Sequence, residues 1–123
     1  MEKVLIICLG ACMGALSRWG ACLLALRWFS DQSLATFFVN TTGSFGIGLF
    51  LPLAAKATVE FRLFLMIGFL GAYTTMSSFA AEVVASIFER RYWQAAVHWS
   101  CGSLFPLLAC ICGVWLSSQM VTR

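Results

Sequence analysis

Four apolar stretches, residues 4–26, 34–55, 63–88 and 93–118, constrain this chain more than any other feature. They hold 23, 22, 26 and 26 residues, together 97 of 123. A helix of about 20 mostly apolar residues crosses a hydrocarbon layer roughly 30 Å thick. Each stretch is long enough, and the 26 residues left over cannot build a soluble domain. The chain is 61% hydrophobic and 11% charged, where soluble domains are about half apolar and about a quarter charged. A small domain buries only about 60–70% of its unfolded surface, so that excess has nowhere to hide in water. The expected fold class is therefore all-α integral membrane. It has four transmembrane helices in the lipid bilayer, forming a single transmembrane domain over residues 1–123.

Charge and cysteine usage narrow the function classes. The formal net charge is +3, but the charges sit singly in tails and connections. A nucleic-acid partner would need Lys and Arg clustered on one face, and none is expected. Cys8, Cys12, Cys22, Cys101, Cys110 and Cys112 all fall inside apolar spans, where cysteine packs as a small hydrophobe. Lys3 and the Leu9-Gly10-Ala11-Cys12 box resemble a leader. The apolar run before them is shorter than the roughly 7–15 residues a leader uses, so it reads as the first span.

The connections are short. Asp31 and Ser33 are both candidate caps for the second helix, and Tyr92 and Trp93 suit an interfacial aromatic belt. Four spans put both termini on one side. That side carries Lys3, Lys56, Arg62 and Arg123; the other carries Arg27, Arg90 and Arg91. Orientation follows the excess of Lys and Arg on cytoplasmic connections, and the excess here is one residue. Two outcomes stay open: one weakly biased orientation, or insertion both ways to give an antiparallel dimer.

Polar residues inside a span are expensive and usually face protein or water. Gly10, Gly14 and Arg18 follow each other at four-residue steps on one helical face. Small residues at that spacing admit a close neighbour. Arg18 then lines a vestibule or snorkels at a helix end. Asn40 shares a face with Ser44 and Gly48, and is either helix–helix glue or a donor to a permeating anion. In the third span, residues 68–79 combine two glycines with four Ser and Thr residues. The expectation is a break near residues 71–75, tolerated only where it lines a cavity or is buried in protein. The competing expectation is a kinked helix whose hydroxyls bond back to the preceding turn. Glu82 lies beyond, on the face of Phe79 and Ser86. Pro106 predicts a kink in the fourth span. His98 reads as a lone structural or interfacial histidine without a partner. No nucleophile, base and orienting group form a set, so no enzyme is expected.

These residues, in this order, resemble the Fluc (CrcB) family of bacterial fluoride channels along nearly the whole chain. Gly10-Ala11-Cys12-Met13-Gly14-Ala15-Leu16-Ser17-Arg18-Trp19 resembles the family's G-x-x-x-G-x-x-x-R-W, and Asn40 its second-helix asparagine. Residues 68–82 are similar to its signature G-F-x-G-G-x-T-T-F-S-T-F-S-x-E, and Gly102-Ser103 to its fourth-helix pair. The resemblance implies an antiparallel, dual-topology homodimer in the bacterial inner membrane. It would export fluoride passively, lowering its toxicity, through two pores at the subunit interface. It implies a structural sodium ion (Na+) at the dimer centre, held by the main-chain carbonyls of Gly71 and Thr74. Asn40, Thr75, Met76, Ser77, Ser78, Phe79 and Ser103 would line the fluoride pore, with Arg18 and Glu82 in the vestibules. A dry pore for a small, strongly hydrated anion needs hydroxyl and amide donors, and an aromatic edge gives a contact weak enough to release it.

The chain departs from the signature at Met76 for the first phenylalanine, at Ala72 for the second glycine and at Ala80 for a serine. Met76 removes one aromatic edge. It leaves as alternatives a non-conducting subunit of a heteromeric channel, or a small proton-coupled multidrug-type exporter. The exporter needs a carboxylate in the first span, and residues 4–26 contain none.

Overall fold

The computed structural model describes residues 1–29 and 31–121. Arg123, counted above in the charge balance, lies outside them. The described residues contain four helical stretches long and apolar enough to cross a membrane: Glu2–Trp28, Gln32–Leu53, Val59–Phe88 and Tyr92–Met120.

Helix α1 (Glu2–Phe29) has an acid in its first turn and Arg27 in its last, each complementing the helix dipole. Helix α2 (Gln32–Phe50) is capped by Asp31, whose Oδ1 accepts from Ser33 N at 2.9 Å. Ser33, the other candidate, supplies the backbone donor. A 3₁₀ turn at Leu51–Leu53, with Pro52 in it, closes this span.

The third span is assembled from pieces. Thr58 caps α3 (Val59–Arg62), which runs into a π-helix at Leu63–Leu70 and then a single turn, α4 (Gly71–Tyr73). Thr74 (φ −80°, ψ 157°) and Thr75 (φ −148°, ψ 109°) are extended, and α5 (Met76–Phe88) starts afresh. A tight turn follows, with Arg90 at φ 59°. Helix α6 (Tyr92–Val121) runs on through Pro106 as one element.

Backbone-to-backbone packing holds these helices together. A Cβ on Gly10 or Gly14 would overlap main-chain atoms of Phe64 and Phe69, so α1 lies directly on the π segment. Gly48 and Gly113 do the same for α2 and α6, meeting the backbones of Cys110 and Phe45. The interior is thin: Ala35, Val39, Leu70 and Phe79 are buried, while Trp28, Phe88 and Trp93 stand more than three-quarters exposed near span ends. That distribution suits a protein whose outer surface is solvated by lipid.

Candidate functional site

The interruption between α4 and α5 frees backbone groups that an unbroken helix would pair, and buried groups of that kind require partners. Asn40 on α2 supplies them. Its Nδ2 donates to Thr75 O at 3.0 Å, and Thr75 N donates to its Oδ1 at 2.8 Å. The side chain therefore acts as helix–helix glue, with one Nδ2 hydrogen outside these two bonds. Thr75 also caps α5 by accepting from Ser78 N at 3.2 Å, and its own hydroxyl donates to Ser78 Oγ at 3.0 Å. Ser77 Oγ lies 3.4 Å from the same hydroxyl. Thr75, Ser77 and Ser78 thus form one polar cluster, on which Ser77 and Ser78 are exposed.

Before the break, Thr74 N and its hydroxyl both donate to Leu70 O, each at 3.1 Å. Arg18, expected towards a pore mouth, reaches this point: Nη1 stands 3.5 Å from Thr74 O. Its helical face, shared with Gly10 and Gly14, admits a close neighbour as the spacing predicts, and that neighbour is the third span. In an uninterrupted helix Thr75 N would close the Gly71 carbonyl, but here it is given to Asn40. The Gly71 and Thr74 oxygens are thus the donor type a hard cation takes. A sodium ion held there would stand beside the Arg18 guanidinium, whose Nη1 is 3.5 Å from Thr74 O and whose like charge opposes it.

A second cluster lies one turn further on. Phe79 is 3% exposed, and its ring covers Gly102, where a Cβ would collide with it. Ser103 is the next residue, exposed on α6. Thr36 Oγ1 donates to Glu82 Oε1 at 2.5 Å. His98 Nε2 lies 3.2 Å from Glu82 Oε2, without hydrogen-bond alignment, and its ring stands 5.1 Å from that of Phe79. The expectation of a partnerless histidine is corrected here. Glu82 and His98 come from different helices, and their pairing depends on the register between α5 and α6, which spacing within one helix cannot reveal. Met76 is 73% exposed on the chain's surface.

The match to known proteins is broad. Residues 5–116 match the model of the family described as "CrcB-like protein, Camphor Resistance (CrcB)". The chain belongs to this family. It is 39% identical over 110 residues to the fluoride-specific ion channel FluC of Pasteurella multocida, covering 87% of this chain and 85% of that one. It is 38% identical over 108 residues to fluoride-specific ion channel FluC 1 of Listeria monocytogenes, covering 87% and 90%. With FluC of Haemophilus ducreyi it shares 32% over 122 residues, covering 99% and 97%. These relatives are named as channels, so the CrcB chain falls in a non-enzyme family, as expected, and is a multi-pass membrane protein.

Sequence reasoning missed three residues that lie in contact with these clusters. Thr36 holds Glu82, and His98 faces it. Tyr73 pairs its hydroxyl with Thr42 at 3.0 Å and stacks on Phe69. The available signal was position: Tyr73 stands directly before the extended pair, and a tyrosine inside a membrane span seeks a partner for its hydroxyl.

Proposed function

We propose that this chain is one subunit of an antiparallel, dual-topology homodimeric channel that carries fluoride passively out of the bacterial cell across the inner membrane. The observation that carries this reading is the Thr74–Thr75 interruption. Its backbone is closed by Asn40, and the hydroxyls of Thr75, Ser77 and Ser78 are gathered beside it. Irregular backbone inside a membrane span is tolerated where it is buried in protein or borders a cavity. On the surface of one chain this cluster would face lipid. A second copy, inserted the opposite way, would cover it and turn the exposed hydroxyls into the wall of a pore. In this reading the interruption lies at mid-membrane.

The chemistry follows from the donors. Ser77, Ser78 and Ser103 offer hydroxyl hydrogens, and the free N–H of Asn40 an amide hydrogen, in place of the water that fluoride sheds. The resemblance gives Phe79 the role of a weak ring-edge contact, but in this chain its ring is 3% exposed and packed over Gly102. Met76 stands where a second ring edge would be and contributes volume only. Arg18 draws anions in, and Glu82 closes the polar track on its other side. The Gly71 and Thr74 carbonyls would hold a sodium ion shared between the subunits. It would fix the two breaks together and lend positive charge. Two oxygens per chain fall short of the roughly six a hard cation takes, so such a site requires the second copy.

Purified protein in liposomes, with fluoride and chloride efflux followed in parallel, tests the proposal. Rapid fluoride loss with chloride retained is the expected outcome. Well-folded dimers that lose no fluoride would sink the homodimeric channel and turn attention to the Met76 departure and a missing partner chain.

A further inference from the structure

The break leaves the Thr74 carbonyl without its helical partner. In an unbroken helix the amide of Ser78 would close it, but Ser78 N is given to the Thr75 hydroxyl at 3.2 Å. The main-chain groups of Thr75 are both taken by Asn40. What reaches Thr74 O is the Arg18 guanidinium, with Nη1 at 3.5 Å. The packing of α1 brings it there. Gly14, one turn earlier, lies on the main chain of Phe69, where a Cβ would overlap it. Arg18 is thereby carried alongside the end of the same segment.

The guanidinium is partly buried. The ion pairs among the described residues are Arg91 with Glu89 and His98 with Glu82, and neither includes Arg18. Glu82 is itself held by Thr36. Arginine keeps its charge at any pH a protein meets, and a charge inside a span is costly without a partner. In the single chain the Thr74 carbonyl dipole is the partner this charge has found.

We infer that Arg18 and a cation are alternative partners of the Thr74 carbonyl, so that Arg18 sets how much sodium is needed to fill the break. The inference rests on the cation site of the channel reading above. An oxygen that ligates a cation cannot also face the guanidinium without bringing two like charges within a few ångströms. At that range, in a partly buried setting, the repulsion weakens cation binding by at least about tenfold. Arg18 must therefore turn away from Thr74 O before the carbonyl is available, and its long side chain has the rotamers to do so. Removing the guanidinium leaves the break intact, because Asn40 closes it, and takes away the rival.

The test is thermal unfolding of the dimeric fraction of the full-length protein in detergent. Sodium chloride is titrated against N-methylglucamine chloride at constant ionic strength. The wild-type midpoint should rise with sodium, as it does for any ligand held only by the folded state. Arg18→Gln should reach the same rise at about tenfold less sodium, while Arg18→Lys, which keeps the charge, stays near wild type. A purely structural arginine would lower the midpoint without moving its sodium dependence. Equal dependence in wild type and Arg18→Gln overturns the inference and leaves the cation site standing. If Arg18→Gln does not fold, the wild-type protein decides. The Arg18 side-chain nitrogen NMR signal, assigned through its loss in Arg18→Lys, should move over the sodium range that raises the midpoint. A signal unmoved over that range overturns the inference. Midpoints indifferent to sodium in wild type and Arg18→Gln alike remove the cation from the channel reading, and the inference falls with it.

Discussion

Asn40 shows how a side chain lets a membrane helix break. One amide satisfies both main-chain groups of Thr75, the service a neighbouring strand would give in a sheet. Each buried backbone group left unpaired costs about 1–3 kcal/mol. Asn40→Ala removes both partners at once. It should lower the thermal midpoint of the detergent-solubilised protein and abolish liposomal fluoride flux. Asn40→Ala flux equal to wild type would remove this residue from the mechanism. The sequence marked Asn40 as out of place in lipid, because an amide inside a span is costly wherever it stands. It could not say which groups the amide serves. Those groups exist only once Thr74 and Thr75 have left the helix, and that depends on contacts 35 residues away in the chain. Glu82 and His98 carry the same lesson, since neither sequence position contains the other's register.

At the scale of elements, glycines decide which helices touch. Gly48 on α2 and Gly113 on α6 each lie against the other helix's backbone, where an added Cβ has no flexible neighbour to displace. Gly48→Ala must push the pair apart, and overpacking of this kind costs about 1–3 kcal/mol. Gly20, on α1, meets nothing within 4 Å in this chain, and Gly20→Ala removes a helix-interior glycine worth roughly 0.5–1 kcal/mol. Thermal melts in detergent should therefore drop for Gly48→Ala and hold or rise for Gly20→Ala. Equal melts for the two would mean that close approach of α2 and α6 is not what holds the bundle. The small-residue face of α1 was legible from its spacing; of residues 71–75, where a break was expected, Gly71–Tyr73 keep a helical turn and Thr74 and Thr75 are extended. The π-helix at Leu63–Leu70 was not legible. Apart from Gly68 its residues are ordinary helix formers, and its altered bonding goes with the fit of Gly68 against Gly10 and Ile7, a tertiary contact.

Over the whole molecule, the four spans were plain from hydropathy, since length and apolarity are all that crossing a bilayer demands. How two copies meet has no such signature in a single chain beyond the near-even charge count. That count can be tested. Glu60→Lys adds a positive residue to the terminal side, and Glu89→Lys adds one to the other. Each alone should bias insertion and remove most fluoride flux, and the two co-expressed should restore it. Full flux from either variant alone would show that opposite insertion is not required.

Arg90 sits in the turn between α5 and α6 with a left-handed backbone, φ 59°, a conformation glycine adopts freely and arginine at some expense. The most comfortable residue for that turn would therefore also delete one of three positive charges on its side of the membrane. Fold and orientation make opposing demands on a single codon. Under the proposed dual topology, a lineage drifting towards the easier backbone would gain a sturdier subunit and lose its indifference to direction, and with it the partner facing the other way.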